Sequence, residues 1–337
     1  MLWRCVRRLL VCGLAGCAIA AAVPAGAAEK MVFSLNWLPY GLHFGVYAAL
    51  EQGYYRDAKL DLDILRGQGS GDTVKRVAVG SALFGMADAA SVILGRAKGM
   101  TVKQVGMVLD RSADAVYFVK GAGIVTPKDL EGRTLGAAAG ETPLTLFPAF
   151  AGGAGLDPKK VQWVNMTPPA KIASLVSRKV DTIITFTTEE PLVRAATQKA
   201  GLEFGRFLYS DFGVDYYSIG LIARDQTIQE QPDLVRRFVE ATLRGYAWAI
   251  ENPEGAADAF LKHHKESSRA LQLDQWKVVA AHMVTPVARE KGLGHIDAGK
   301  MGRTVDLIKR FYPLERDVTA DEVFTMKLLP RITAKGM

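Results

Sequence analysis

Asn36-Trp37, with Tyr40 and His43 close behind, places an amide, two aromatic rings and an imidazole within eight residues. A second group, Thr187-Thr188-Glu189-Glu190, supplies hydroxyls and carboxylates. Ser70, Asp88, Ser91, Arg111, Glu141 and Thr142 lie between the two groups, and Tyr216 follows them. Side chains of these types stack on flat rings and exchange hydrogen bonds with polar edges. Signatures of bond-breaking chemistry are poor. Gly67-Gln68-Gly69-Ser70-Gly71 lacks the third spaced glycine of a dinucleotide loop, and Gly136 to Gly140 lacks the Gly-Lys-Ser/Thr that grips phosphates. There is no Gly-x-Ser-x-Gly elbow and no His-Glu-x-x-His, and the adjacent His263 and His264 project in different directions on a helix. No metal and no cofactor is therefore expected. Taken singly, the Ser, Thr and Asp residues are also ordinary helix caps, Trp37 an ordinary core residue and His43 a structural hydrogen-bonder. Their common placement is what marks a site.

That placement comes from alternating strands and helices. Met31 to Leu35 reads as a strand that delivers Asn36 and Trp37, and Leu42, Val46, Ala49 and Leu50 form one face of the following helix, closed by Gly53. Leu60 to Leu65 leads to Ser70 and Asp72, Ala82 to Ala87 to Asp88 and Ser91, and Val102 to Leu109 to Asp110 and Arg111. In the middle of the chain, Arg133 to Ala138 leads to Glu141 and Thr142, and Val180 to Phe186 to the Thr-Thr-Glu-Glu group. These candidates thus fall just past strands, the edge where open α/β sheets bind ligands. Val77 to Met86 and Leu175 to Ile184 echo one another as helix end, polar turn and buried strand, which suggests two similar α/β halves. Ala115 to Lys120 and Asp215 to Ala223 read as strands entering and leaving the middle region, after which the pattern is almost wholly helical. The expected organisation is one lobe from 29–118 plus 219–337 and a second from 119–218, hinged by two crossovers.

The first 28 residues stand apart. Arg4, Arg7 and Arg8 precede an apolar run from Leu9 to Val23 and a small-residue stretch at Ala25-Gly26-Ala27, the pattern of an export signal cleaved near Ala27 or Ala28. Cys5, Cys12 and Cys17 all lie in this leader, so a mature chain has no disulfide and no cysteine nucleophile. Leu14-Ala15-Gly16-Cys17 also resembles a lipoprotein box, which would tether the chain through Cys17. Removing the three arginines takes the formal net charge from +7 to +4, and the basic residues form no stripe interleaved with aromatics, so no nucleic-acid partner is expected. With 49% hydrophobic and 23% charged residues and no later apolar run of spanning length, a soluble globular chain is expected.

Asn36-Trp37, Tyr47-Ala48-Ala49 to Gly53-Tyr54-Tyr55, Gly85-Met86-Ala87-Asp88 and Thr126-Pro127-Lys128-Asp129-Leu130-Glu131-Gly132-Arg133 together resemble the solute-binding proteins of ABC importers. The group is the one that takes thiamine pyrimidine precursors, sulfonates such as taurine, and nitrate. The likeness runs from about residue 31 to 330. It implies a two-lobed, type II Venus-flytrap fold with two crossover strands, a periplasmic location, a monomer, and a permease and ATPase of the inner membrane as partners. In the pyrimidine-precursor branch an aromatic stacks on the heterocycle and a carboxylate bonds its amino edge, which maps to Trp37 and to Glu189 or Glu190. That branch also holds synthases with a cysteine cluster, a lysine and a histidine; this chain has neither lysine nor histidine from Ala87 to Ser91, so an enzyme is not expected. Asp72, Asp88, Glu141, Glu189 and Glu190 crowd the strand ends with only Arg111 to oppose them, which favours a neutral or amino-bearing ligand over a sulfonate or nitrate.

Overall fold

A computed structural model describes residues 29–335 and Met337; the leader, its cleavage site and Cys17 lie outside the described residues. Ten strands follow in order: β1 (Glu29–Ser34), β2 (Leu60–Leu65), β3 (Phe84–Asp88), β4 (Val102–Met107), β5 (Asp114–Val119), β6 (Thr134–Ala137), β7 (Gln162–Asn165), β8 (Thr182–Phe186), β9 (Phe204–Leu208) and β10 (Ile219–Arg224). They form two five-stranded sheets, ordered β2-β1-β3-β10-β4 and β7-β6-β8-β5-β9. In each sheet the strand arriving from the other lobe, β10 or β5, lies antiparallel to its neighbours, while β1-β2, β1-β3, β6-β7 and β6-β8 are parallel. The two orders are the same pattern written twice. The sequence echo has its place there, because its strands are β3 and β8, which occupy matching positions.

The fold is the expected two-lobed α/β one with two crossings, although the chain leaves the first lobe earlier than residue 118. β5 pairs with β8 and β9 along its length, so the outward crossing is the irregular stretch 108–113. Weak alternation in Ala115 to Lys120 obscured this. β5 is paired on both edges and covered on both faces, and all six of its residues are buried. The return crossing, 214–218, is irregular, and β10 begins only at Ile219. β9, half-exposed at the sheet edge, has too little apolar pattern to be read from sequence.

Each sheet is covered by helices, and the cores follow from that. Phe33, Phe84 and Phe238 meet in the first lobe, with Phe84 and Phe238 stacked at 3.9 Å. Tyr117, Ile183 and Val193 lie in a smaller core confined to the second lobe. A further core is shared, joining Val74 and Ile222 of the first lobe to Val116, Leu135 and Ile184 of the second. Helix Ala298–Phe311 packs on Ala89–Ala97 of the first lobe and on Thr142–Ala154 of the second, so it braces both crossings. No described helix is long and apolar enough to cross a membrane.

Candidate functional site

The parallel strands point their carboxyl ends at the cleft between the lobes, and the loops there carry the candidate residues. The turn after β1 is strapped by the glycine stretch that follows β2: Gly67 N donates to Trp37 O at 3.0 Å and Gly69 N to Asn36 O at 2.9 Å. Gly69 has φ +131°, and a Cβ there would lie 2.5 Å from Gly140 O of the other lobe. The glycines that fail as a phosphate loop therefore let the two lobes approach.

His43 holds this turn from behind. Its Nδ1 accepts from Tyr40 N at 3.2 Å, which leaves Nε2 to donate to Asn36 Oδ1 at 3.1 Å. It is fully buried, and burial, with a smaller contribution from His264, pushes its pKa down to about 3. A neutral imidazole orienting Asn36 is a bracket for the site.

Three side-chain hydrogen bonds close the cleft. Trp37 Nε1 donates to Glu189 Oε1 at 2.8 Å, Tyr40 OH and Thr188 Oγ1 share a hydrogen 2.8 Å apart, and Thr142 Oγ1 donates to Asp88 Oδ2. Asp88 also accepts from Ser91 N at 2.7 Å and Ser91 Oγ at 3.0 Å, capping helix Ala89–Ala97, while its own backbone N donates to Ser70 Oγ at 3.2 Å. Thr142 is not the cap expected of it. The cap position belongs to Glu141, and the Thr142 hydroxyl instead reaches across the cleft.

Behind this seam lies a residue that sequence reasoning missed. Lys171, 1% exposed, gives its ammonium to Glu141 Oε2 at 2.5 Å, Ile184 O at 3.0 Å and Thr185 Oγ1 at 3.3 Å, and sits 5.1 Å from the centre of the Trp37 ring. Glu141 Oε1 accepts from Ala138 N at 2.7 Å, and Thr185 donates to Glu189 Oε2. Burial raises the Glu141 pKa although Lys171 and the Ala138 N–H pull it down. Trp37, Glu189, Thr185, Lys171 and Glu141 thus form one chain of contacts across the lobes. The expected opposing cation, Arg111, is exposed on the first crossing, and Asp72 pairs with Arg76 at 2.7 Å outside the cluster.

Beside the seam the cleft opens into a cavity of about 450 Å³. Leu208, Val278 and Ala281 give it an apolar wall; Ser112, Asp114 and Thr187 face the same space. Asp114 Oδ2 accepts from Tyr216 OH at 2.5 Å, so the candidate Tyr216 positions a carboxyl that had not been singled out. Burial pushes the Asp114 pKa up to about 8, Tyr216 lowers it, and Asp88 and Glu141 raise it further. His282 also lines the cavity; burial depresses its pKa, and its Nδ1 donates to Val278 O at 2.9 Å. Arg206 and Lys277 stand at the rim, Arg206 against Glu190 and Lys277 against Asp274 at 2.9 Å. Glu190 also accepts from Tyr117 OH at 3.2 Å and from Arg194 at 2.7 Å. No signal in the local sequence separates Lys171 or Asp114 from a solvent-facing charge.

The family description "NMT1/THI5 like" matches residues 41–256. Among curated proteins, the chain is 26% identical over 321 residues to a formylaminopyrimidine-binding protein of Halalkalibacterium halodurans, covering 94% of this chain and 96% of the other. It is 25% identical over 311 residues to the riboflavin-binding protein RibY of Chloroflexus aurantiacus, covering 90% and 86%. A 4-amino-5-hydroxymethyl-2-methylpyrimidine phosphate synthase of Legionella pneumophila is 28% identical over 239 residues, covering 68% and 72%. In fold, the periplasmic aliphatic sulphonate binding protein SsuA of Escherichia coli superposes with a TM-score of 0.68 at 14% identity, covering 92% of this chain and 95% of that one.

Proposed function

Because the chain belongs to the NMT1/THI5-like family, we propose that it is the exported solute-binding component of an ABC importer, which closes its two lobes on a small, flat, uncharged heterocycle and passes it to a permease and ATPase. The observation that carries this reading is the convergence of strand ends from both lobes on one cleft that keeps a cavity of about 450 Å³, within the usual range for small-molecule sites. Asn36, Trp37, Tyr40 and Glu189 are the residues proposed to meet a ligand as the lobes part, with Ser70, Ser91, Asp88, Glu141, Thr142 and Thr188 supporting them. A ring that stacks on Trp37 brings its amino edge to Glu189, in the place of the indole N–H.

Charge selects among ligands. Lys171 is committed to Glu141, Arg206 to Glu190 and Lys277 to Asp274, so an entering sulfonate or nitrate meets no uncommitted cation among these three. This argument supports a heterocycle over the sulfonates taken by proteins of similar fold. A binding rather than catalytic role is supported by two curated binding proteins that match almost the whole chain, and by an Ala87–Ser91 segment with neither lysine nor histidine.

Stacking contributes roughly 0.5–1.5 kcal/mol beyond area burial. Micromolar affinity requires about 8 kcal/mol, so burial and several hydrogen bonds must supply the rest. Isothermal titration of the mature chain against 4-amino-5-hydroxymethyl-2-methylpyrimidine, riboflavin, taurine and nitrate tests the reading. Micromolar or tighter binding of a heterocycle, weakened at least tenfold in Trp37→Leu, is expected; binding of taurine with no heat from either heterocycle overturns it.

A further inference from the structure

The cavity beside the seam is lined by residues that carry buried polar atoms with no partner in the protein. Asp114 is 2% exposed and Thr187 8%, and Asp114 Oδ1, Thr187 Oγ1 and the Ser112 hydroxyl each lack a hydrogen bond while their residues line the same space. Folded chains leave few buried polar atoms unpaired. Three that come from two separate segments, on residues that line one cavity, mark a recognition surface that a guest reaches as the lobes part.

Asp114 is the centre of it. One carboxyl oxygen is held by Tyr216 at 2.5 Å, no lysine or arginine among the described residues pairs with the other, and the acids Asp88 and Glu141 are near enough to oppose a negative charge there. An ionised carboxylate in that position has no counter-charge, whereas a carboxylic acid has one O–H to give. Leu208, on the strand beside that of Asp114, and Val278 and Ala281, on helix Arg269–Met283, offer an apolar surface to the face of a ring.

We infer that Asp114, Ser112 and Thr187 form the hydrogen-bonding wall of the ligand chamber, and that Asp114 meets the ligand as a carboxylic acid, donating from Oδ1 to a ring nitrogen or carbonyl of an uncharged heterocycle. This rests on the heterocycle reading above and adds which protein groups read the far edge of the ring. Thr187 and Glu189, two residues apart, connect this wall to the Trp37 seam. Tyr216 is a positioning residue, fixing the second oxygen so that Oδ1 faces the ligand. The upward displacement of the Asp114 pKa to about 8 agrees with a proton retained at neutral pH. The titratable and charged groups around Asp114 are Tyr216, Tyr209, Asp88 and Glu141 within the fold, and Glu190, Arg206, Lys277 and His282 around the cavity.

The test is titration with 4-amino-5-hydroxymethyl-2-methylpyrimidine from pH 6 to 9.5 for the wild type and for Asp114→Asn, Asp114→Leu, Ser112→Ala, Thr187→Val and Trp37→Leu, each first checked for a cooperative melt. Asp114→Asn retains a donor and all surrounding titrations, including the ligand's own. It should bind within about threefold of wild type at pH 6.5 and lack the further weakening that wild type shows as pH rises through about 8. Asp114→Leu and Thr187→Val should bind about tenfold more weakly, one lost hydrogen bond each, and Ser112→Ala several-fold more weakly. Wild-type affinity in Asp114→Leu and Thr187→Val, with Trp37→Leu weakened, overturns the inference and leaves the heterocycle reading standing. Identical pH profiles for wild type and Asp114→Asn overturn the carboxylic-acid donor. Failure of the wild type to bind the pyrimidine or riboflavin, with taurine bound, overturns the heterocycle reading and this inference with it.

Discussion

The cleft has two adjoining parts built on opposite rules. In the seam, the indole of Trp37, the hydroxyls of Tyr40, Thr142, Thr185 and Thr188, the carboxylates of Asp88, Glu141 and Glu189 and the ammonium of Lys171 all bond to one another or to backbone. In the chamber beside it, Ser112, Asp114 and Thr187 hold buried oxygens with no partner, and Asp110 and Ser218 on the two crossings do the same. Satisfied polar groups make a contact stable and specific, while unsatisfied ones are costly until something else bonds them. The seam is therefore suited to holding the lobes together and the chamber to rewarding a guest.

The most severe way to break the comparison is to remove Lys171. Lys171→Met leaves Glu141 buried beside Glu189 without its cation, and loss of one partner of a buried ion pair costs about 3–5 kcal/mol. Lys171→Met combined with Glu141→Leu should recover most of that, because replacing both members of such a pair by apolar groups is often neutral. Urea unfolding of the three proteins measures both steps. A single variant as stable as wild type would mean the seam is not a closed network.

Next in size is a pair of opposed pH effects, one from each part. His43, which supports the seam, stays neutral in the folded chain down to about pH 3, whereas unfolded it gains a proton below about 6.5. Stability is consequently lost as pH falls from about 6.5 toward 3. Asp114, in the chamber, keeps its proton up to about pH 8 when folded but ionises near 3.8 otherwise, so its contribution makes stability fall as pH rises between those values. Each contribution accumulates across its own window, and the two run in opposite directions. Comparing stability against pH for wild type, His43→Asn and Asp114→Asn should remove the acid-side loss in the first variant and the alkaline-side fall in the second; parallel curves for all three would sever the link between burial and charge.

Much of this cleft was legible in the chain because strand ends are. Apolar runs followed by Asn36, Asp88 or Glu189 mark both the strand and the edge it reaches, and the two-lobed plan follows from the order of those runs. Lys171 and Asp114 were illegible for a shared reason. Lys171 sits in Ala170-Lys171-Ile172-Ala173, where a lysine reads as the solvent side of a helix, and its burial depends on Glu141, thirty residues earlier, and on Trp37 of the other lobe. Asp114 precedes an apolar strand and reads as its boundary, but Tyr216, more than a hundred residues later, places it inside.

The smallest expected effect is also the sharpest, because it compares neighbours. Thr188 belongs to the seam, its hydroxyl 2.8 Å from Tyr40 OH; Thr187 belongs to the chamber, its hydroxyl buried without a partner. Thr188→Val strands the buried Tyr40 hydroxyl and should destabilise by about 1–3 kcal/mol, whereas Thr187→Val removes an orphaned group and should be neutral or stabilising by up to about 1 kcal/mol. Ligand affinity should respond in a different order: Thr187→Val weakens the pyrimidine directly, while Thr188→Val acts through the ease of lobe closure. Thermal melts and titrations of the two variants, differing only in which of two adjacent hydroxyls is lost, separate a residue that holds the lobes from one that holds the guest. Equal stability losses at both positions would erase the distinction between seam and chamber, since the Thr187 hydroxyl would then have to be bonded within the protein.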